Sequence, residues 1–420
     1  MIGEIIAIGD ELTSGRILNT TSSFAANQLF SGGHEIFAMH TIGDTPALIG
    51  EALKRAISRV DFVIVTGGLG ATTDDLTNEA VSEALNRPPT LHREILERIR
   101  SHIQGNKNDK VFLEKLAWLP EGAEVLSAES KMAGYLLVYD STPIFFLPGI
   151  PSQMKELFVD HVLPCLAGWS ADKRNHIRQR VYRTFGATEN MINKHFQNIE
   201  KKPKITIGYY PVESDVHVSL TVIGQSRDES DTLFQQTDAE ILRTLGNIVY
   251  GVNQDTMASV VGNLLKENGW MISVAESCTG GLLASKITEV AGSSEWFSGG
   301  IIAYNNDLKQ ELLAVDNALI AEYGAVSAPV ARAMVEGVSA RIKSRVAVSI
   351  TGIAGPSGGT EDKPVGTVFF GIFVNGEVTD HLCTFSGSRK DIQEITAQTA
   401  LDLVRRTLLK QKGVNNGGSS

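Results

Sequence analysis

Chemistry is most concentrated in AESCTGGLLASKITEVAG (residues 275–292). A short apolar run ends there at Glu276 and a helix of small residues begins at once. Ser277, Cys278 and Thr279 therefore stand on a strand-to-helix turn. A nucleophile on such a turn is exposed at the sheet edge, and the free N–H groups of residues 278–281 could stabilise an oxyanion. By position all three side chains are candidate nucleophiles. A Ser/Thr cap with glycines for close packing is the structural alternative. Next comes GGIIAYNNDLKQELL (299–313), with Tyr304 and Lys309 at a strand end and the start of a helix. A serine hydroxyl is a poor nucleophile until a base takes its proton, and a lysine can do so if burial lowers its pKa. A third loop, SITGIAGPSGGTEDKPVGTV (349–368), carries Gly352, Gly355, Gly358, Gly359 and Gly366, enough to wrap backbone amides around a phosphate or carboxylate. It has neither the GK[ST] ending of a P-loop nor the GxGxxG of a dinucleotide fold. Finally, TFSGSRKDIQ (384–393) puts Arg389 at a helix start, where a guanidinium could grip a phosphate or carboxyl group.

A second constellation lies near the N-terminus. DFVIVTGGLGATTDDLTNEAV (61–81) runs from a buried strand through a glycine-rich loop into a helix, a backbone cradle for an anion. Asp74 and Asp75 would repel a phosphate unless a divalent cation lay between them or one served as a helix cap. With Asp10 and Glu11 at the end of the first strand, a metal-assisted phosphoryl site is one reading; capping plus structural glycines is the other.

These residues need elements to carry them. Residues 1–168 alternate Val/Ile/Phe-rich runs ending at glycine (GEIIAIG, DFVIVTGG, PIFFLPG) with amphipathic stretches at about 20–30 and from about 46. That is the signature of a parallel α/β sheet, whose ligand sites lie at the carboxyl ends of the strands, here GDE, TGGLG and LPG. Residues 169–252 are more polar and read as a small α+β module of two or three short strands and two helices. Its His176, His195 and His217 are isolated surface or packing residues. Residues 253–412 form a second α/β domain, with apolar strands near 271–276, 299–305, 345–352 and 366–373 and a last helix over about 390–409. Residues 413–420, GVNNGGSS, are expected to be disordered.

Composition excludes several classes. With 38 Lys+Arg, 48 Asp+Glu, a formal charge of −10 and 42% hydrophobic residues, the 420-residue chain is an ordinary globular sequence. It has no bulk field to attract nucleic acid or anionic lipid. Cys165, Cys278 and Cys383 are too few and too widely spaced for a disulfide framework or a metal knuckle, which fits a reducing cytoplasm. No window approaches a membrane span or a signal segment.

Residues 253–410 resemble the nicotinamide-nucleotide amidase domain of the CinA family through AESCTGG, AGSSEWFSGG, IAYNND, GAVSAPV, ITGIAGPSGG, KPVGTV and FSGSR in that order. The resemblance implies hydrolysis of the carboxamide of nicotinamide mononucleotide without a cofactor. It implies Ser277 as nucleophile, Lys309 as base and Tyr304 beside them. Arg389, Thr279, Gly280, Gly281, Gly352, Ala354 and Gly355 would bind substrate. The first domain resembles the molybdopterin-binding-like half of the same family through GDELTSGRILNT, TGGLGATTDDLT and LPGIPSQM, and the middle module resembles its KH-like linker through RTFGATEN. This implies a phosphate site at Thr66, Gly67, Gly68, Gly70, Thr72 and Lys115. It also implies a divalent metal at Asp10, Glu11, Asp74 and Asp75 and, in some members, ADP-ribose pyrophosphatase activity. Ala71, where the family usually has proline, and the loop 130–135 depart from that pattern. A small-molecule nucleotide is the expected partner, in a homo-oligomer, most simply a dimer. The competing expectation is a non-catalytic nucleotide-binding or scaffold protein tied to competence or DNA repair.

Overall fold

The computed structural model describes residues 1–102, 113–127, 134–169 and 176–416. Residues 130–133 of the divergent loop and 417–420 of the tail lie outside the described residues. Two compact units emerge: Met1–Gln179 with Val222–Phe234, and Arg180–Thr221 with Gln235–Ser420. The middle stretch is shared between them.

The first unit holds a six-stranded sheet of β1 (Ile2–Ile8), β2 (Glu35–Ile42), β3 (Phe62–Thr66), β6 (Glu124–Val125), β7 (Tyr135–Tyr139) and β8 (Thr142–Leu147), in the order β2-β1-β3-β8-β7-β6; β4 (Pro89–Leu91) and β5 (Trp118–Pro120) pair separately. The central strands are buried on both faces, so alternate residues feed two cores. Ile5, Ile64 and Phe145 pack on one side, Ile6, Val63, Val65 and Phe146 on the other. β1, β2, β3 and β8 run parallel, but β7 pairs antiparallel with both β8 and β6. The wholly parallel expectation fails there because Asp140 and Ser141, both with positive φ, join β7 to β8 in a tight hairpin with no room for a crossover helix.

β9 (His176–Thr184), β10 (Ile205–Val212), β11 (Asp215–Gly224) and β12 (Val249–Val252) make a four-stranded sheet in the order β10-β11-β9-β12, accompanied by helices Glu189–Phe196 and Arg227–Leu245.

In the second unit β13 (Ile272–Glu276), β14 (Phe297–Ile302), β15 (Val346–Gly352), β16 (Thr367–Val374) and β17 (Glu377–Thr384) follow the order β14-β13-β15-β16-β17. The first three are parallel, and β16 pairs antiparallel with both β15 and β17. The turn between β16 and β17 is Asn375-Gly376, both with positive φ, the chemistry of a two-residue hairpin, and the sequence reading passed over it. The last helix runs Arg389–Asn416, well past the expected end near 409 and into the stretch expected to be disordered. Two cores sandwich the sheet, one centred on Val274, Val348 and Phe370, the other on Ala275, Ala347 and Met334. The architecture is two α/β domains and a small α+β module. Among the described residues no helix is long and apolar enough to cross a membrane.

Candidate active site

β13 ends at the sheet centre, flanked by β14 and β15, and delivers the turn 277–281 to the carboxyl edge of the sheet. Gly280 (φ 63°) and Gly281 (φ 101°) bend the chain through the left-handed region, and the helix Leu282–Thr288 starts directly behind them. β14 ends beside β13 and leads into the helix Asn306–Leu313. Asn305 caps that helix by accepting the N–H of Leu308. This places Lys309 on the first turn, facing inward.

Lys309 is 2% exposed, and its Nζ donates to Ser277 Oγ at 3.1 Å and to the carbonyl of Ala303 at 2.9 Å. Both partners are neutral oxygens. Burial therefore pulls the Lys309 ammonium below its ordinary pKa of 10.5, with no carboxylate bonded to it to restore the charge. The neighbouring Cys278 thiol is pushed up to about 12, again chiefly by burial. The three turn residues differ in what they meet. Ser277 meets the Lys309 amine, whereas Cys278 is held as a neutral thiol over Gly352, where an added Cβ would come within 3.1 Å of its sulfur. Thr279 is also buried, and its hydroxyl meets no partner among the described residues.

The backbone differs from expectation. Of the four N–H groups of residues 278–281, that of Gly280 donates to the Ser277 carbonyl at 3.0 Å and that of Gly281 to the Glu276 carboxylate at 3.0 Å. Those of Cys278 and Thr279 donate to no other described residue, so an oxyanion site there would have two donors rather than four.

A cleft of about 630 Å³ opens beside this turn, bordered by Thr279, Gly280, Gly281, Tyr304, Arg389 and Lys390, with Gln393 and Glu394 behind. Arg389 bridges it. Its Nη2 donates to the Tyr304 hydroxyl at 2.7 Å and its Nη1 to the Gly355 carbonyl at 2.7 Å. Gly355 thus meets Arg389 through its carbonyl. Gly352 lies under the turn, and Ala354, expected to touch substrate, is packed in the core at 3% exposure. Sequence reasoning missed Lys390, Gln393 and Glu394, although the helical spacing after Arg389 was available. Gln393 holds the Cys278 carbonyl at 2.7 Å.

The N-terminal constellation gathers less completely. A cleft of about 490 Å³ lies at the carboxyl ends of β1, β3 and β8, lined by Thr66, Gly67, Gly68, Gly70, Glu11, Asp74 and Asp75 among others. Thr72 is turned away, its N–H and hydroxyl both bonded to the Asp75 carboxylate. Lys115 does not face this cleft. Its Nζ is spent on the carbonyls of Thr72 and Asp75 and on Glu79, and its side chain borders a separate hollow with Trp118. The carboxylates do not form a donor set. Among the described residues no three His, Cys, Asp or Glu side chains are arranged to hold a metal ion. Asp10 and Asp44 instead accept each other's backbone N–H at 3.2 and 2.8 Å. Asp44 is raised above the usual carboxylate range by burial and by the charges of Asp10, Glu11 and Asp74. These residues as they stand do not fit a preformed divalent-metal centre.

Family models match over almost the whole length: a CinA C-terminal domain over residues 254–408, a probable molybdopterin binding domain over 4–168 and a damage-inducible protein CinA KH domain over 179–251. A "CinA-like protein" from Desulfotalea psychrophila is 51% identical over 97% of this chain and 99% of its own length. The chain belongs to the CinA family. A "putative competence-damage inducible protein" from Caldicellulosiruptor bescii is 37% identical over 97% of this chain and all of its own. The crystal structure of competence/damage inducible protein CihA from Agrobacterium tumefaciens is similar over 36% of this chain and 93% of its own, at 39% identity and a TM-score of 0.35.

Proposed function

We propose that this CinA-family chain is an amidohydrolase that converts nicotinamide mononucleotide to nicotinate mononucleotide and ammonia at the Ser277–Lys309 site. The observation that carries the reading is the 3.1 Å contact between a buried lysine amine, depressed in pKa, and a serine hydroxyl on a strand-to-helix turn. Lys309 in its neutral form takes the Ser277 proton as Oγ attacks the carboxamide carbon. The tetrahedral oxyanion is met by the free N–H groups of Cys278 and Thr279. Collapse expels the amine, to which Lys309 returns the proton, leaving an acyl-serine ester. Lys309 then activates a water that attacks this ester, and the carboxylate product and free serine result. Arg389, with Lys390 beside it, supplies positive charge at the cleft for the nucleotide phosphate, and Tyr304, whose hydroxyl accepts from Arg389, borders the same cleft.

The test is production of ammonia and nicotinate mononucleotide by the full chain, its Ser277→Ala and Lys309→Ala variants and Cys278→Ala. Turnover lost in the first two and kept in the third supports the assignment. No turnover by the folded wild type, or loss in Cys278→Ala with Ser277→Ala intact, overturns it.

A further inference from the structure

Glu276, the last residue of β13, is fully buried. A carboxyl group in that position is costly unless its oxygens are satisfied. Here they accept three backbone N–H groups from beyond the nucleophile: Oε2 takes those of Gly281 at 3.0 Å and Leu283 at 3.1 Å, and Oε1 takes that of Ala284 at 2.8 Å. The helix Leu282–Thr288 has Gly281 at its cap position and no capping side chain from that residue, so Glu276 does the capping from five to eight residues upstream. The turn 277–281 is thereby wrapped around a peg that precedes it. The same residue also reaches the base. The Glu276 carbonyl accepts the N–H of Ala303 at 2.8 Å, and the Ala303 carbonyl is the second acceptor of Lys309 Nζ.

We propose that Glu276 is the positioning residue of the Ser277–Lys309 pair, fixing the serine hydroxyl against the amine through its grip on the turn. The role deepens the amidase reading and rests on it. Glu276 makes no hydrogen bond to Arg389 or Tyr304, so its removal displaces the turn that carries the nucleophile and leaves the Arg389–Tyr304 side of the cleft in place. Glu276→Gln is nearly isosteric, yet it must set an NH2 group against at least one of the three N–H donors. A displacement of about 1 Å at the reacting atoms costs on the order of 100-fold in rate.

The experiment measures kcat and KM for nicotinamide mononucleotide, the rate of Ser277 labelling by a fluorophosphonate, and Tm, for wild type, Glu276→Gln and Ala284→Pro. The proline variant deletes one of the three donors at a first-turn position where no intrahelical bond is lost, and it keeps the proposal testable if the glutamine variant does not fold. The expected result is a fall in kcat of about 10- to 100-fold with KM within twofold, and a parallel fall in labelling. Unchanged labelling and kcat in a folded variant overturn the role, as does a change confined to KM. Wild type that labels at Ser277 but releases no ammonia removes the amidase reading alone, because the labelling comparison still tests what Glu276 does to the serine.

Discussion

Replacing Lys309 by methionine removes the amine while keeping nearly the same volume in a site with almost no solvent access. Turnover falls by about 10²- to 10⁴-fold, the range for loss of a general base. Stability responds in a way that depends on pH. The methionine leaves the buried Ala303 carbonyl without its 2.9 Å donor, at a cost of about 1–3 kcal/mol. Against this stands the relief of a buried ammonium. Because the folded-state pKa of Lys309 lies below its ordinary 10.5, the unfolded chain binds the extra proton throughout the window between the two. Wild-type stability therefore climbs with pH across that window, by about 1.4 kcal/mol per unit, and is flat on either side with respect to this group. The variant lacks that slope. Urea unfolding of both proteins from pH 6 to 10.5 should show the difference shifting toward the variant as pH falls from 10.5. Parallel curves would mean that Lys309 titrates normally in the folded protein, and the neutral-base mechanism would fall with that result.

Cys278→Ala should retain turnover within about threefold and lose about 1 kcal/mol of stability from the vacated volume, read by urea unfolding. With its thiol pushed up to about 12, native Cys278 should react with iodoacetamide at pH 8 far more slowly than the same cysteine in urea, as followed by mass spectrometry. Arg389→Ala, which removes the bridge between Tyr304 and the Gly355 carbonyl, should raise KM for the nucleotide at least tenfold, with a smaller effect on nicotinamide riboside if the guanidinium answers to phosphate. Gly262→Ala would bring a methyl within 2.5–2.8 Å of the Trp296 ring and should destabilise the second unit by about 1–3 kcal/mol despite its better helix propensity, measured by thermal unfolding.

The readable parts of this fold and site were those set by local chemistry. Glycine-terminated apolar runs announced the strands, and the turn at 277–281 together with the Lys309 helix start announced the proposed nucleophile and base. Which turn residue meets Lys309 was not readable from the residues alone, because it depends on where an amine 32 positions away comes to rest. Lys115 was misplaced for a similar reason. Its ammonium is drawn to loop carbonyls and to Glu79, partners that only the folded loop brings together. The antiparallel edges escaped notice although Asn375-Gly376 is a strong hairpin signal, since β17 alternates polar and apolar residues and lacks the continuous apolar run that marked the buried strands. Glu276 looked like an ordinary strand end because a side chain that caps a helix five to eight residues later leaves no short-range pattern.

The helix Arg389–Asn416 sets a metric for the whole second unit. Arg389 reaches the cleft, Gln393 holds the Cys278 carbonyl and Glu394 pairs with Lys286 at 2.7 Å. Further along, Gln398 bonds Asp215 at 2.9 Å and Arg405 bonds the Asn247 carbonyl at 2.8 Å, both partners outside residues 254–408 of the CinA C-terminal domain match. One rod therefore gauges two docking distances at once. Each residue added to or removed from it turns everything downstream by about 100° and shifts it by about 1.5 Å. A one-residue insertion or deletion between 393 and 405 would therefore unseat one end or the other.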